Sequence, residues 1–183
     1  STLVVALAEI GDKTQLLAIV LVARFARPVP IIAGIFVATI ANHALAALLG
    51  TVAASIFDGT WFRYLVALGF IAMALWTLVP DKLDEEDEKP SRFGPFVTTT
   101  VAFFLVEMGD KTQVATIALG AQFQSVMLVA LGTTLGMMIA NVPAVYAGRA
   151  ILRVVPLNVV RWVAAGLFLV IGLWLLAETA GWL

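Results

Sequence analysis

The 183-residue chain is 62% hydrophobic and only 13% charged, with a formal net charge of −1 at pH 7 and a mean hydropathy of +1.03. That balance excludes a soluble domain and offers nucleic acid no basic surface. The absence of cysteine excludes a disulfide scaffold, a thiolate metal centre and a catalytic thiol.

Apolar runs predict six membrane spans, over residues 2–22, 31–54, 61–79, 96–121, 126–148 and 160–181, each long enough for a hydrocarbon core of about 30 Å. Lipid gives backbone polar groups no partner, and the alternation of a β-barrel strand is missing. The expected fold class is therefore an all-α polytopic membrane protein. Span one lacks the basic start of a cleavable signal peptide, so it reads as part of the mature protein.

Inside span one lies Glu9-Ile10-Gly11-Asp12-Lys13-Thr14-Gln15, and inside span four Glu107-Met108-Gly109-Asp110-Lys111-Thr112-Gln113. Six of seven positions agree at an offset of 98 residues. Each charge at mid-membrane costs about 2.5–3.5 kcal/mol even on the mildest scale, so such residues mark ion or proton pathways. On a continuous helix Glu9, Asp12 and Lys13 share one face. Gln15 would lie beside Asp12, while Thr14 would point away and bond back to the Ile10 carbonyl. Gly11 and Gly109 would admit a neighbouring helix or let the backbone unwind locally.

The repetition runs through the whole chain. Gly34 matches Gly132, Arg63-Tyr64 matches Arg161-Trp162 and Leu75-Trp76 matches Leu173-Trp174, all at 98; Ala41-Asn42 matches Ala140-Asn141 at 99. An acidic linker, 81–95, separates a first three-span half, 1–80, from a second, 96–183. Three is odd, so the second half enters from the opposite side, the inverted-repeat plan of many secondary transporters, with the site near the midplane. Arg24, Arg27, Lys82, Lys89, Arg92, Arg149, Arg153 and Arg161 fall on one side and Arg63 on the other. The positive-inside rule then puts the linker in the cytoplasm and both termini outside. Trp61, Tyr64, Tyr146, Trp162 and Trp182 lie near span ends, as interfacial belts do.

Glu9, Asp12, Glu107 and Asp110 are the candidate metal ligands, with amide and hydroxyl oxygens from Gln15, Gln113, Thr14 and Thr112 close by. An all-oxygen set suits hard divalent cations. Four carboxylates and two lysines sum to −2, which one divalent ion or two protons neutralise. The acids titrate as one coupled set, and competition of metal with protons for them is the physical basis of antiport. Lys13 and Lys111 read as supports that pair a carboxylate when the site is empty. Asn42 and Asn141 are repeat-related, lining the site or bonding between helices. His43 has no counterpart, Val142 standing in its place, and reads as packing or as a histidine with a satisfied hydrogen bond. Glu178 reads as interfacial. A merely structural Glu9–Lys13 ion pair would not need Gly, Asp, Thr and Gln repeated with it.

The duplicated Glu-x-Gly-Asp-Lys-Thr motif, three spans per half and an acidic central loop resemble the Golgi and thylakoid manganese/calcium cation/proton exchanger family. Its bacterial members include MneA-type manganese exporters, and it is grouped in the LysE superfamily. The resemblance covers essentially the whole chain, with no departure within either motif. It implies export of Mn2+, and of Ca2+ as a second candidate, against a proton gradient. By direct match the ligands would be Glu9, Asp12, Glu107 and Asp110, with no catalytic residues and no cofactor. The partners are the cation, protons and the bilayer, and the setting a bacterial inner membrane. Two rival classes fit the acids less well. An intramembrane hydrolase acting on a phosphate would need an Arg or Ser beside the acids, and every Arg maps near a span end. A cation channel commonly assembles its filter from several subunits, whereas one chain here supplies both halves.

Overall fold

A computed structural model describes residues 1–57, 59–79, 93–148, 150 and 156–182. Among the described residues the chain is all helical and contains no strand. The elements are α1 (Thr2–Glu9), α2 (Lys13–Phe25), α3 (Pro28–Ile56), α4 (Thr60–Thr77), α5 (Pro95–Glu107), α6 (Lys111–Phe123), α7 (Val126–Ala147) and α8 (Leu157–Thr179). Four of them, α3, α4, α7 and α8, are long and apolar enough to cross a membrane, and α5 is a shorter apolar helix. The acidic linker lies outside the described residues as far as Arg92, and so do Arg149 and Arg153.

Local chemistry sets the boundaries. Pro28 and Pro95 occupy the first turns of α3 and α5, where a missing N–H costs nothing. Ala26 and Gln124, left-handed at φ 51° and 47°, end α2 and α6, their N–H groups donating to the Val22 and Gly120 carbonyls. Spans one and four are not continuous helices; the local unwinding that Gly11 and Gly109 permit takes place. Each is broken inside the motif. Ile10 and Met108 are extended, Gly11 and Gly109 follow at φ 81° and 77°, and Asp12 and Asp110 restart the chain as N-caps of α2 and α6. Glycine enters the left-handed region without steric cost, and Asp is a favoured N-cap. The single face expected for Glu9, Asp12 and Lys13 therefore does not exist: Glu9 closes one helix and Lys13 opens the next.

Two apolar clusters hold the helices together. One joins Val4 of α1, Ala47 of α3, Phe70 and Met73 of α4, Leu119 of α6 and Phe168 of α8. The other joins Leu17 and Leu21 of α2, Ile31 and Ile35 of α3, Phe103 of α5 and Val145 of α7. The motif breaks fall between them along the chain, at the junctions α1–α2 and α5–α6. Phe70 and Phe168, themselves 98 residues apart, stack with ring centroids 6.4 Å apart. Close backbone approach needs glycine at the α3–α6 contact, where a Cβ on Gly50 would overlap the Ile117 carbonyl and one on Gly120 the Ala47 carbonyl. Leu48, Leu49, Leu65, Leu75, Leu128, Leu131 and Leu169 face outward, apolar surface that lipid covers and water would not. The protein is a multi-pass membrane protein.

Candidate functional site

The broken helices bring both motif copies together. Glu9 of the first copy and Asp12 and Asp110 at the two N-caps each offer a carboxylate oxygen, and these atoms lie within 4.8 Å of one another. All three side chains are buried. Glu107, though fully buried, lies outside that set. Instead its Oε2 faces His43 Nε2 of α3 at 3.8 Å.

The hydroxyl and amide groups of the motif organise this arrangement. Thr14 Oγ1 donates to Glu9 Oε2 at 2.6 Å, so it does not turn away to the Ile10 carbonyl as a continuous helix would require. Thr112, from the other copy, donates to Glu9 Oε1, and its own N–H reaches Asp110 Oδ2 at 3.5 Å. Gln15 and Gln113 brace the breaks: each accepts from the N–H of the motif glycine, Gly11 at 2.9 Å and Gly109 at 2.7 Å. Their amide nitrogens reach across to longer helices, Gln15 to the Ala140 carbonyl of α7 at 3.0 Å and Gln113 to Asn42 Oδ1 of α3 at 2.5 Å. Asn42 also donates to the Phe104 carbonyl at 3.3 Å. Asn141 donates to the Met137 carbonyl one turn earlier. The two asparagines, alike in sequence, thus have different surroundings.

Lys13 Nζ pairs with Asp110 Oδ1 at 3.1 Å, an ion pair between the two copies. Lys111 Nζ donates to the Val79 carbonyl at 2.7 Å at the end of α4. His43 is fully buried, and neither of its ring nitrogens has a hydrogen-bond partner. Of the two readings for His43, packing or a satisfied hydrogen bond, the hydrogen bond is not made, since the facing Glu107 oxygen is beyond hydrogen-bond range. Glu178 pairs with Arg63 at 3.5 Å on the exposed surface.

A recess of about 10 Å3, lined by Gly11, Asp12, Thr77, Lys111 and Arg161 among others, leads to Asp12. A larger cavity of about 430 Å3, lined by Phe57, Arg63, Gln122 and Gln124 among others, touches neither motif. Chemically the three clustered acids form an oxygen cage able to bind a hard divalent cation or, in its place, protons.

Comparison with known proteins follows the same lines. The sequence model of one family, divalent cation/proton antiporter GDT1, matches residues 1–85 and 95–182. A Vibrio cholerae protein named "Putative manganese exporter" is 52% identical over 170 residues, covering 92% of this chain and 84% of its own. An Arabidopsis thaliana protein named GDT1-like protein 5 is 28% identical over 205 residues, covering 91% of this chain and 89% of its own. No solved structure gives a significant match.

Proposed function

The chain belongs to the divalent cation/proton antiporter GDT1 family, and from that premise we propose that it carries Mn2+ out of the cytoplasm in exchange for protons. As a member of that family it is a secondary transporter. The observation that carries the reading further is the meeting of Glu9, Asp12 and Asp110 at a double helix break. Discontinuous helices at mid-membrane are where transporters bind ions, because chain ends and side chains there replace the hydration shell. Mn2+ is the cargo named for the Vibrio cholerae relative, and an oxygen cage suits it. Ca2+ has the same oxygen preference and is the second candidate.

Six crossings follow if α1–α2 and α5–α6 each count as one broken span beside the four continuous ones. Residues 1–80 and 96–183 are then two inverted halves, joined by the cytoplasmic linker 81–95, with both termini outside the inner membrane. The stacking of Phe70 on its repeat mate Phe168 supports this plan, since a residue meets its own counterpart only near a two-fold axis. The two ends of the site are unequal. On the side of the chain termini α6 lies in backbone contact with α3 through Gly50 and Gly120. On the linker side the repeat-related position to Gly120 is Val22, and the recess to Asp12 opens beside Thr77 and Arg161. Backbone contact at the α3–α6 seam supports closure toward the side of the termini, and entry from the cytoplasm follows from the proposed direction of export. Metal entering there displaces Lys13 from Asp110 and protons from the acids; rocking of the halves exposes the cage outward, where protons release the metal.

Reconstituted liposomes with an imposed pH gradient test the reading, with Glu9→Gln and Asp110→Asn beside wild type. Gradient-driven Mn2+ flux lost in both variants supports it. Flux without proton coupling would make the protein a channel, and no flux of Mn2+ or Ca2+ would sink the cargo assignment.

A further inference from the structure

The two motif glutamates are equivalent in sequence and unlike in surroundings. Glu9 sits among hydroxyl donors and two other acids. Glu107 faces an imidazole that the repeat supplies only once, since Val142 replaces His43 in the other half. Both oxygens of Glu107 and both nitrogens of His43 lack hydrogen-bond partners although both side chains are fully buried. One turn earlier on the same face of α3, the buried hydroxyl of Thr39 lacks one as well. Buried polar groups are nearly always paired, so a cluster of unpaired ones calls for an ordered water or an ion between them.

The spacing admits a metal ion between the two side chains. At 3.8 Å, His43 Nε2 and Glu107 Oε2 are too far apart for a hydrogen bond, which needs about 2.7–3.2 Å. Two donors on one metal ion, each at about 2.0–2.6 Å, sit up to roughly 4–5 Å apart. We propose that His43 and Glu107 form a second coordination position on the transport path, adjoining the three-acid cage and containing a nitrogen donor. Imidazole binds first-row transition ions, Mn2+ the most weakly of the divalent series, whereas Ca2+ and Mg2+ take oxygen almost exclusively. This position therefore favours Mn2+ over Ca2+ in a protein whose other ligands cannot tell them apart. The inference rests on the proposed transport of a divalent cation and adds its selectivity.

The test uses the fact that His43 is the only histidine in the chain. Purified protein without a histidine tag, loaded with Mn2+, is probed by electron spin echo envelope modulation. Imidazole 14N modulation is expected in wild type and absent in His43→Gln. In liposomes the same substitution is expected to lower the Mn2+ over Ca2+ preference about tenfold, the lower end of what loss of a ligand's support costs. Bound Mn2+ with an oxygen-only spectrum in wild type overturns the proposal and leaves the exchanger intact, an outcome that needs no variant to fold. Unchanged selectivity in a folded His43→Gln or His43→Asn protein overturns it too. Absence of proton-driven Mn2+ flux in wild type would instead remove the exchanger reading itself.

Discussion

The hydroxyl of Thr112 donates to the carboxylate of Glu9, so that one copy of the motif completes the surroundings of the other. Thr14 of its own copy and Thr112 of the other hold that acid together. Groups that orient a metal ligand are commonly worth 10–100-fold in affinity. Thr112→Val is accordingly expected to raise the apparent Kd for Mn2+ about tenfold, and Thr112→Ser, which keeps the hydroxyl, to restore most of it. Equilibrium binding on purified protein decides; equal affinity of Val and Ser variants would show that the hydrogen bond orients nothing.

Lys13 gives a prediction of the opposite sign. Its ammonium holds Asp110 at 3.1 Å and would compete for that oxygen with a metal bound as proposed. Removing it by Lys13→Gln should tighten Mn2+ binding about tenfold, or ~1.4 kcal/mol. That is a modest share of the ~4 kcal/mol between unit charges 4 Å apart at an effective dielectric of 20. Exchange should slow, because nothing replaces the departing ion on Asp110. Weaker binding in Lys13→Gln would mean that Lys13 builds the cage and does not compete for it.

Proton competition has a pH signature. If one Mn2+ replaces protons on the caged acids, its apparent Kd must rise as pH falls, with log Kd against pH sloping between −1 and −2 for one to two protons released per ion. Binding titrations at several pH values, with Asp110→Asn as the comparison, measure it. The slope should be shallower when one acid is removed. A pH-independent Kd would separate metal binding from proton binding and require a proton site elsewhere.

Much of this was legible in the residues and one central part was not. The motif repeat at 98 residues, the all-helical membrane character and the meeting of acids from both motif copies follow from hydropathy and self-similarity, both averages over many positions. The helix breaks rest on three residues each. Gly11 followed by Asp12 is a C-terminal glycine running into an N-cap, a stop-and-restart signal, but a span-length hydropathy window smooths over it. Placing Glu9, Asp12 and Lys13 on one continuous helix therefore misdirected Thr14, which bonds Glu9. The division between Glu9 and Glu107 was hidden for another reason: it depends on His43, a residue outside the repeat, meeting Glu107 across two helices.

The breaks themselves can be probed at Gly109, where φ is 77° and an added Cβ meets nothing among the described residues. Substitution there isolates backbone strain from crowding. A left-handed L-residue costs roughly 1–2 kcal/mol, with Asn the most tolerant. Melting temperatures in detergent should fall in the order Gly, Asn, Ala, Val. At Gly11, φ 81°, a Cβ would also press on Leu157 at 2.7 Å, so Gly11→Ala should cost somewhat more than Gly109→Ala. Equal stability of all four residues at 109 would mean that α5 and α6 can run on as one helix.

The α3–α6 contact carries the last prediction. A Cβ on Gly120 would stand 2.5 Å from the Ala47 carbonyl, and Thr51 Oγ1 donates to the Ala47 carbonyl of its own helix at 2.8 Å and, across the seam, to the Gly120 carbonyl at 3.2 Å. Backbone cannot yield as a side-chain tip can, so Gly120→Ala must push α6 off α3, at the 1–3 kcal/mol typical of overpacking. Gly166 of α8, where an added Cβ meets nothing among the described residues, is the control: Gly166→Ala should gain up to about 1 kcal/mol from helix propensity. If the seam closes the outer end of the pathway, Gly120→Ala liposomes should bind Mn2+ normally yet leak protons without exchanging metal. Tight coupling retained in Gly120→Ala would move the outer closure to another pair of helices.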